Sequence, residues 1–541
     1  MVIGVTGHRD LPADVGPLER AVRDVLVEFG ARHPWSKIVV LSSLAEGADR
    51  LVARLALELE ISLVVPMPLE QSDYESDFKT EESLQEFRAL LQRADAAFVV
   101  PPAAEVSTGN DVSRDARSRA YANCGAFLVQ KSIEIIALWD GVTQPARGTA
   151  EVVTFQLEGV PAPYVAQRKE LDLTLVGPVK HVATRRGTQP EAVGADRPIA
   201  QTIYPRILAG SHTAQAFEKA KADIDRFNRD VVRDAPRGHS IRTIREDAAA
   251  VANDYRSRTV LALGTIFAMV FFSIGGFNVY RNLPSRPLWL LGAYLACSAL
   301  AFTAYYVSKR GDWQNRHQDC RALSEVLRVA HYWHLAGIDE TVAEVFAQNH
   351  RAEIDWLPFA IRSITEPFVG KLAPGSHHDA VANLRRVYDE WLVREYRYFT
   401  AFAGRRERRR SEISARVVSA ALILSIFLTV ALRLLPHLGI SDDLNRTALL
   451  VATVLAVVAA LLTSYADKRG WTEHVRRYDM MAVLFGRARE KVAELLQNGE
   501  PDGDAVRRIR DILRNLGEEA IRESAAWLSL HRSRPIDVPQ A

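Results

Sequence analysis

The 541-residue sequence predicts an α/β doubly wound domain with a parallel sheet, followed by an all-α membrane domain with four transmembrane helices and cytosolic helices. Two observations support this division. Short apolar runs alternate with helical patterns over residues 1–182, which is the pattern of repeated βα units. Further along the chain, four stretches of about 20 mostly apolar residues have the length needed to cross a hydrocarbon core of about 30 Å.

The predicted strands of the first domain are short and apolar. Helical patterns, for example Leu18–Phe29 and Ala48–Leu59, separate the first six of them. This alternation predicts a parallel sheet, because parallel neighbours need a crossover connection. The strands are predicted at Val2–Val5, Lys37–Leu41, Ile61–Val65, Ala96–Val100, Ile133–Leu138 and Ala162–Val165, with a later one beginning near Leu175.

Small and polar residues follow three of these strands where each strand ends. In such sheets ligands bind outside the carboxyl ends of the strands. Glycines let backbone N–H groups approach an anion, and a following helix N-terminus favours negative charge. Hydroxyl and carboxylate groups suit ribose, and His8, Arg9 or Arg147 would neutralise phosphate. The residues predicted to bind a nucleotide are Thr6, Gly7, His8, Arg9, Ser42, Ser43, Glu46, Gly47, Asp49, Asp140, Gly141, Arg147, Gly148 and Thr149. The alternative for each turn taken singly is that its glycine only forms the turn.

The four apolar stretches are predicted membrane spans at residues 259–280, 287–307, 415–435 and 446–466. The alternative is a large soluble core built from four buried helices, which is disfavoured because the stretches have no polar face. The loops within each pair carry few cations, whereas the outer flanks carry many. By the positive-inside rule the N-terminus, the segment 308–414 and the C-terminus are therefore expected in the cytosol. The flanking cations are Arg256, Arg258, Lys309, Arg310, Arg405, Arg406, Arg408, Arg409, Arg410, Lys468 and Arg469.

An internal repeat organises the membrane part. Tyr-x-x-Lys-Arg-Gly ends a span at Lys309 and again at Lys468, and a tryptophan and an amphipathic helix follow each time. Each unit is thus two spans plus a trailing helix, used twice. The predicted domains are 1–200 (nucleotide sensing), 201–258 (helical linker), 259–345 (first two-span unit), 346–414 (cytosolic helical connector), 415–500 (second two-span unit) and 501–541 (C-terminal cytosolic helix and tail).

Composition limits the partners and the cellular compartment that this chain is expected to have. Lys and Arg total 68 against 66 for Asp and Glu, so no overall charge favours nucleic acid as a partner. The three cysteines are far apart in sequence, which fits a reducing compartment and argues against disulfides and zinc. Polar residues interrupt the first apolar run at His8, so no signal peptide is expected. The arginine run from Arg405 is interpreted as a juxtamembrane anchor to anionic lipid.

Several segments of the first domain resemble the SLOG superfamily, the Rossmann-like nucleotide-binding fold shared with LOG-type and DprA-type proteins. They are "VTGHRDL", "SSLAEGADRLVA", "DYESDF", "IALWDG" and "RGTAEVV", in this order over about residues 1–185. The resemblance implies binding of a nucleotide-derived signal such as a cyclic dinucleotide or an ADP-ribose-type molecule. The two-span units, with "YYVSKRGDW" and "SEVLRVAHYWHLAG", resemble SLATT-type membrane domains, which are predicted effectors in bacterial conflict systems.

One departure from the LOG-type pattern bears on catalysis. Hydrolytic LOG-type enzymes carry Pro-Gly-Gly-x-Gly-Thr-x-x-Glu, whereas this chain has "PARGTAE", with Glu151 two residues after Thr149 instead of three. A helix turns by about 100° per residue, so this shift re-aims the carboxylate. No catalytic residue is therefore predicted, whereas the resemblance still implies ligand binding at Gly148 and Thr149. No metal or cofactor is predicted, and the chain is not expected to be an enzyme.

These observations favour a ligand-gated membrane effector. A nucleotide-derived signal would bind the cytosolic domain and trigger a pore or membrane disruption by a homo-oligomer, in antiphage or conflict defence at the bacterial inner membrane. The first alternative is a membrane-tethered nucleotide hydrolase, such as a LOG-like phosphoribohydrolase. The second is a transporter, which is disfavoured because no span has a charged residue at its centre.

Overall fold

A computed structural model describes the fold as two compact units. The first unit comprises Met1–Ile244 with Asp339–Pro374, and the second comprises Arg245–Ile338 with Gly375–Ala541. The residues described are 1–101, 114–142, 148–161, 164, 175–188, 200–205, 213–232, 240–283, 285–338, 342–349, 356–365, 377–434, 442–497 and 501–532.

The first unit is built on a seven-stranded sheet in the order β4-β3-β2-β1-β5-β6-β7. All neighbouring pairs are parallel except β6 and β7, which are antiparallel. The predicted parallel sheet is confirmed, and β7 is an additional edge strand. The predicted strand Ala162–Val165 lies outside the described residues except for Tyr164, which is in no strand. The strands are β1 (Val2–Gly7), β2 (Val39–Leu41), β3 (Ser62–Met67), β4 (Ala96–Val99), β5 (Glu134–Trp139), β6 (Val179–Ala183) and β7 (Ala200–Ile203).

Helices cover both faces of this sheet. They are α1 (Gly16–Arg32), α2 (Ala48–Glu58), α3 (Gln71–Glu75), α4 (Glu81–Arg93), α5 (Arg114–Lys131), α6 (Thr149–Glu158) and α7 (Thr213–Val232). Ile135 and Ala137 of β5 pack against α5 and α6, whereas Ile136, which points to the other face, lines a space together with α1 and α7. Burial on both faces explains why β5 is apolar throughout its centre.

Strand order reverses between β1 and β5. The chain leaves β1 through α1 on one face and leaves β5 through α6 on the other, so the two crossovers run in opposite directions along the sheet. The carboxyl ends of these two strands therefore form the topological switch point, where open α/β sheets leave a crevice for ligands.

The described remainder of the chain is helical. In chain order the helices are α8 (Ile241–Asn282), α9 (Leu288–Gly311), α10 (Trp313–Ala336), α11 (Val342–Asn349), α12 (Trp356–Thr365), α13 (His377–Val387), α14 (Arg394–Arg397), α15 (Gly404–Leu434), α16 (Asp442–Arg469), α17 (Trp471–Gln497) and α18 (Gly503–Arg532). Two π-helical stretches, Tyr388–Val393 and Tyr398–Ala403, connect α13, α14 and α15. Helices α11 and α12 belong to the first unit.

Four helices among the described residues are long and apolar enough to cross a membrane. The four predicted spans coincide with α8, α9, α15 and α16, except that residue 287 precedes α9 and residue 435 lies outside the described residues. Only 28%, 11%, 6% and 11% of their most apolar windows are buried within the chain. A soluble core would bury these side chains, so the soluble-core alternative is wrong. Such a surface needs lipid or other apolar partners.

The two-span repeat has a matching break after each second span. Helix α9 ends at Gly311, and Asp312 adopts a left-handed backbone with φ of 53° before α10 begins at Trp313. Helix α16 ends at Arg469, and Gly470, with φ of 63°, precedes α17 at Trp471. Both breaks thus use one left-handed residue directly before the tryptophan.

Candidate functional site

The first turn of the switch point, residues 6–9, is fastened to the end of β5 by His8. The His8 backbone N–H donates to the Leu138 carbonyl at 2.9 Å, and its Nε2 accepts from the Asp140 N–H at 2.9 Å. Burial lowers the pKa of His8, which is 4% exposed. An Nε2 that accepts a hydrogen bond belongs to a neutral ring, so His8 joins the turns and supplies no positive charge. Thr6, also buried, precedes it at the end of β1.

Gly47 lets the second turn approach the first. It has φ of +78°, and a Cβ there would lie 2.3 Å from the Arg9 carbonyl oxygen and 2.5 Å from that of His8. The Ala48 N–H donates to the His8 carbonyl at 3.0 Å, directly at the start of α2. Gly7 is packed in the same way, since its Cβ would lie 2.3 Å from the Ala48 Cβ. Gly7 and Gly47 thus allow the turn after β1 and the start of α2 to pack closely against each other.

The serine hydroxyls of the second turn contact protein atoms in and around the loop. Ser42 Oγ donates to the Asp49 carbonyl at 3.0 Å and accepts from the Leu44 N–H at 3.2 Å. Ser43 Oγ lies 3.3 Å from Cys124 Sγ, and both residues are buried. Glu46 is less enclosed and accepts from a serine hydroxyl of α4 at 2.6 Å. The serines therefore shape the loop from within.

The third turn meets the first through Thr149, whose Oγ1 donates to the Gly7 carbonyl at 2.8 Å. Gly148, the N-cap of α6, has φ of +63°, and a Cβ there would meet no atom within 4 Å. Gly141, with φ of +80°, is exposed. Arg147 lies outside the described residues. Among the described residues, nothing thus covers the amino end of α6 at the switch point.

Asp140 places a carboxylate at the carboxyl end of β5. Its Oδ2 lies 3.4 Å from His8 Nε2 and 3.5 Å from Arg186 Nε, and its Oδ1 accepts from the Val142 N–H at 3.1 Å. Partial desolvation opposes ionisation, but the hydrogen bond from the Val142 N–H and the Arg186 guanidinium still hold the pKa of Asp140 below its usual value. Asp140 is therefore ionised at neutral pH.

Residues that the sequence did not single out complete the site. The Arg9 guanidinium lies 5.5 Å from the ring centre of Tyr121, on α5. The Tyr121 hydroxyl donates to Asp77, which also accepts from Arg117 at 2.6 Å. The Tyr74 hydroxyl donates to the Ser43 carbonyl at 3.0 Å. Tyr74 and Asp77 belong to the "DYESDF" segment, so the sequence could have predicted them as part of the site. No motif in α5 points to Tyr121.

The chain matches no family model, no curated protein and no solved structure. The resemblance to the SLOG superfamily therefore depends on the quoted segments alone.

The geometry suits a ligand with an anionic part. Arg9 is an exposed cation beside an aromatic ring, and the amino end of α6 adds a favourable dipole. Burial raises the pKa of Cys124 to about 12, so this thiol stays protonated and is no nucleophile. No group of three or more His, Cys, Asp or Glu residues in the described part of the chain could hold a metal ion.

Proposed function

We propose that this chain is a ligand-gated membrane effector. A nucleotide-derived molecule binds at the switch point of the sheet unit, and its binding triggers a homo-oligomer of the helical unit to open a pore or disrupt the bilayer. A ligand can drive such a change only if it binds one conformation or assembly state better than the other.

The observation that carries the ligand half of this proposal is the convergence of three turns at the switch point. Thr149 bonds to Gly7, Ala48 bonds to His8, and Arg9 remains exposed beside them. An open helix N-terminus, an accessible guanidinium and an aromatic ring are the groups that bind a phosphate next to a flat base. The resemblance to the SLOG superfamily points to the same class of ligand.

The four apolar helices support the membrane half. Their outward surfaces are almost entirely apolar and largely unburied, as on α15, where Ile423, Ile426 and Phe427 are more than 60% exposed. The chain passes between the two units at residues 244/245, 338/339 and 374/375. A change in the sheet unit therefore has three covalent routes to the spans.

The cellular setting follows from the flanking cations and the resemblance. The Lys-Arg pairs at Lys309 and Lys468 favour a cytosolic position for the sheet unit and both termini. The SLATT-type likeness favours a bacterial inner membrane and a role in antiphage or conflict defence. A formal net charge of only +2 over the 541 residues gives no reason to invoke nucleic acid as a partner.

A liposome assay tests the proposal. The full-length chain is reconstituted with an entrapped dye, and cyclic dinucleotides, ADP-ribose and NAD are added one at a time. One of them should release the dye from wild-type proteoliposomes. Arg9→Ala should raise the concentration needed for half-release at least about tenfold, because a charge-assisted contact to an anion is removed.

Arg88→Ala is the matched control, because Arg88 is an exposed arginine of the same unit that pairs with Glu75 on α3. It should respond like the wild type. Dye release that no nucleotide triggers, or release that is equally sensitive in Arg9→Ala, contradicts the proposal.

A second candidate, the membrane-tethered nucleotide hydrolase, is favoured by one observation. Burial raises the pKa of Asp49 to about 7, opposed by the Ala45 N–H and by Arg9 and Arg50, and a carboxyl of that pKa suits general acid–base work. Chromatography of the nucleotides recovered from the same liposomes separates the two candidates. Turnover that Asp49→Asn abolishes would support the hydrolase, and unchanged nucleotide supports the effector.

A further inference from the structure

A cavity lies on the α1 and α7 side of the sheet, with a volume of about 230 Å³. Its floor is formed by strand residues that share one face: Ile3 pairs with Glu134, Ile136 with Lys180, and Lys180 with Thr202. Glu134 begins β5, whereas the switch point follows the end of that strand. A six-residue strand spans roughly 20 Å, so the two places are separate.

A buried ion cluster closes one side of the cavity. Lys221 Nζ of α7 lies 2.9 Å from Glu134 Oε2 and 2.6 Å from Glu218 Oε1, and the side chains of Lys221 and Glu134 are only 6% exposed. The Lys221–Glu134 pair is neutral, and the second carboxylate, that of Glu218, also lies 3.7 Å from Arg32 Nη1. These ion pairs provide a fixed polar wall.

His33, at the end of α1, also lines the cavity and lacks hydrogen-bond partners. The residue is 5% exposed, and among the described residues neither Nδ1 nor Nε2 has a partner. Its ring packs edge-on against Phe29, with the centroids 4.9 Å apart. Buried polar groups normally have partners, and an orphaned one calls for an explanation. A molecule in the cavity would provide those partners.

Lys180 provides a cation. Within the described part of the chain its ammonium donates to Thr202 Oγ1 at 3.0 Å and makes no ion pair with a carboxylate. Arg32, at the exposed rim, is by contrast paired with Glu28 and Glu218. Among the described residues around this cavity, Lys180 is therefore the cation that has no carboxylate within 4 Å.

We propose that this cavity binds a small organic monoanion with a flat apolar body, such as an aromatic carboxylate. The carboxylate pairs with Lys180 and accepts a hydrogen bond from the His33 ring, and the flat body packs on Val25, Phe29 and Ile136. A cavity of about 150 Å³ takes benzene, so this one holds about nine non-hydrogen atoms. The proposal is independent of the function assigned to the switch point.

Equilibrium dialysis tests the site, with radiolabelled benzoate and the full-length chain in lipid nanodiscs. Empty nanodiscs correct for partitioning into lipid. Wild-type protein should bind benzoate with a Kd of about 1 mM or tighter, and neutral benzamide at least about tenfold more weakly. Lys180→Met should weaken benzoate binding about tenfold, whereas the exposed control Lys79→Met should bind like the wild type.

His33→Leu provides a second variant if Lys180→Met does not fold. It removes two unpartnered nitrogens from a buried position, so it should raise the thermal midpoint of the free protein and weaken benzoate binding about tenfold. Nucleotides that occupy the switch point should not displace benzoate. The proposal is overturned by the absence of saturable binding up to about 20 mM, or by equal binding of benzoate and benzamide.

Discussion

Asp49 shows how a single residue couples the candidate site to pH. It lies in the first turn of α2, is 7% exposed, and has a pKa raised by burial to about 7 from a usual 3.8. The folded state thus binds this proton more tightly than the unfolded state. The stabilisation is complete below about pH 4 and is lost as the pH rises to about 7.

Asp49→Asn should therefore flatten the pH dependence of stability. Wild-type protein should lose up to about 4 kcal/mol of unfolding free energy between about pH 4 and pH 7 through this group, and the variant should lose that much less. Thermal unfolding of the full-length chain in detergent, measured across this range, checks the difference. The exposed Asp24→Asn is the control, and equal slopes for Asp49→Asn and the wild type would contradict the assignment.

His8 and the two serines of the second turn show why residue type alone did not decide their role. A histidine, a serine or a threonine after a strand suits phosphate equally well before folding. In the structure His8 accepts from Asp140, and Ser42 and Ser43 bond within the loop or to α5. Their partners lie in segments that only the fold brings near, which leaves Arg9 as the exposed cation of that turn.

At the level of elements, the turns at the switch point differ in how much space surrounds their glycines. Gly47 and Gly148 both have positive φ and both precede a helix. A Cβ added at Gly47 would lie within 2.5 Å of two backbone oxygens, whereas a Cβ at Gly148 would meet open space. A side chain at either position would therefore strain the backbone, but only a side chain at Gly47 would also clash with neighbouring atoms.

Gly47→Ala should consequently destabilise the sheet unit by several kcal/mol, and Gly148→Ala by about 1–3 kcal/mol, the cost of backbone strain alone. Chemical unfolding followed by tryptophan fluorescence measures both. Gly148→Ala also separates an effect on ligand binding from an effect on folding. It alters the amino end of α6 in a protein that still folds. Equal destabilisation of the two variants would show that the close approach of Gly47 to His8 and Arg9 is not rigid.

The spans α15 and α16 are held together through small residues. Ser425 Oγ donates to the Ala452 carbonyl at 2.8 Å, and Ala452 is 2% exposed. The sequence predicts that Ala452, Ala456 and Ala460 form one contact face, but Ala456 and Ala460 are exposed. Ala452 thus packs within the chain, and the other two are free for a neighbouring subunit. Ser425 itself is also buried in this contact.

Ala456→Leu and Ala452→Leu form a matched pair one helical turn apart. Ala456→Leu should weaken subunit association and remove ligand-triggered dye release without lowering stability, because close packing of small residues drives association in lipid. Ala452→Leu should instead destabilise the chain by about 1–3 kcal/mol through overpacking. Light scattering in detergent and thermal unfolding measure the two effects. Full dye release by a monomeric Ala456→Leu variant would contradict the oligomer proposal.

For the whole molecule, the distribution of cations predicts which loops face outward. The background for this test is a variant in which Cys124, Cys297 and Cys320 are replaced by serine. One single-cysteine variant then carries Ser285→Cys, between α8 and α9, and another carries Ser441→Cys. The second position lies outside the described residues. A membrane-impermeant maleimide should label both in intact cells, because the cationic flanks stay in the cytosol. Labelling only after the membrane is opened would reverse the proposed topology.

The sequence by itself determined the two architectures, a parallel α/β sheet and a helical part with four long apolar helices. Strand and span are local properties: about four to six apolar residues make a buried strand, and about 20 make a span. The position of polar residues after each strand follows from the same local pattern. These predictions needed no knowledge of which segments meet, and the parallel strands and four long helices confirm that level of description.

Only the tertiary structure decided which polar groups remain free and where cavities lie. Tyr121 stands beside Arg9 because α5 crosses the sheet there, and β7 joins the edge in the antiparallel sense. The cavity beneath α1 and α7 exists because Glu134, Lys180 and Thr202 share one face through strand register. Each of these facts depends on contacts between residues far apart in the chain, and hydrophobic periodicity carries no information about such pairs.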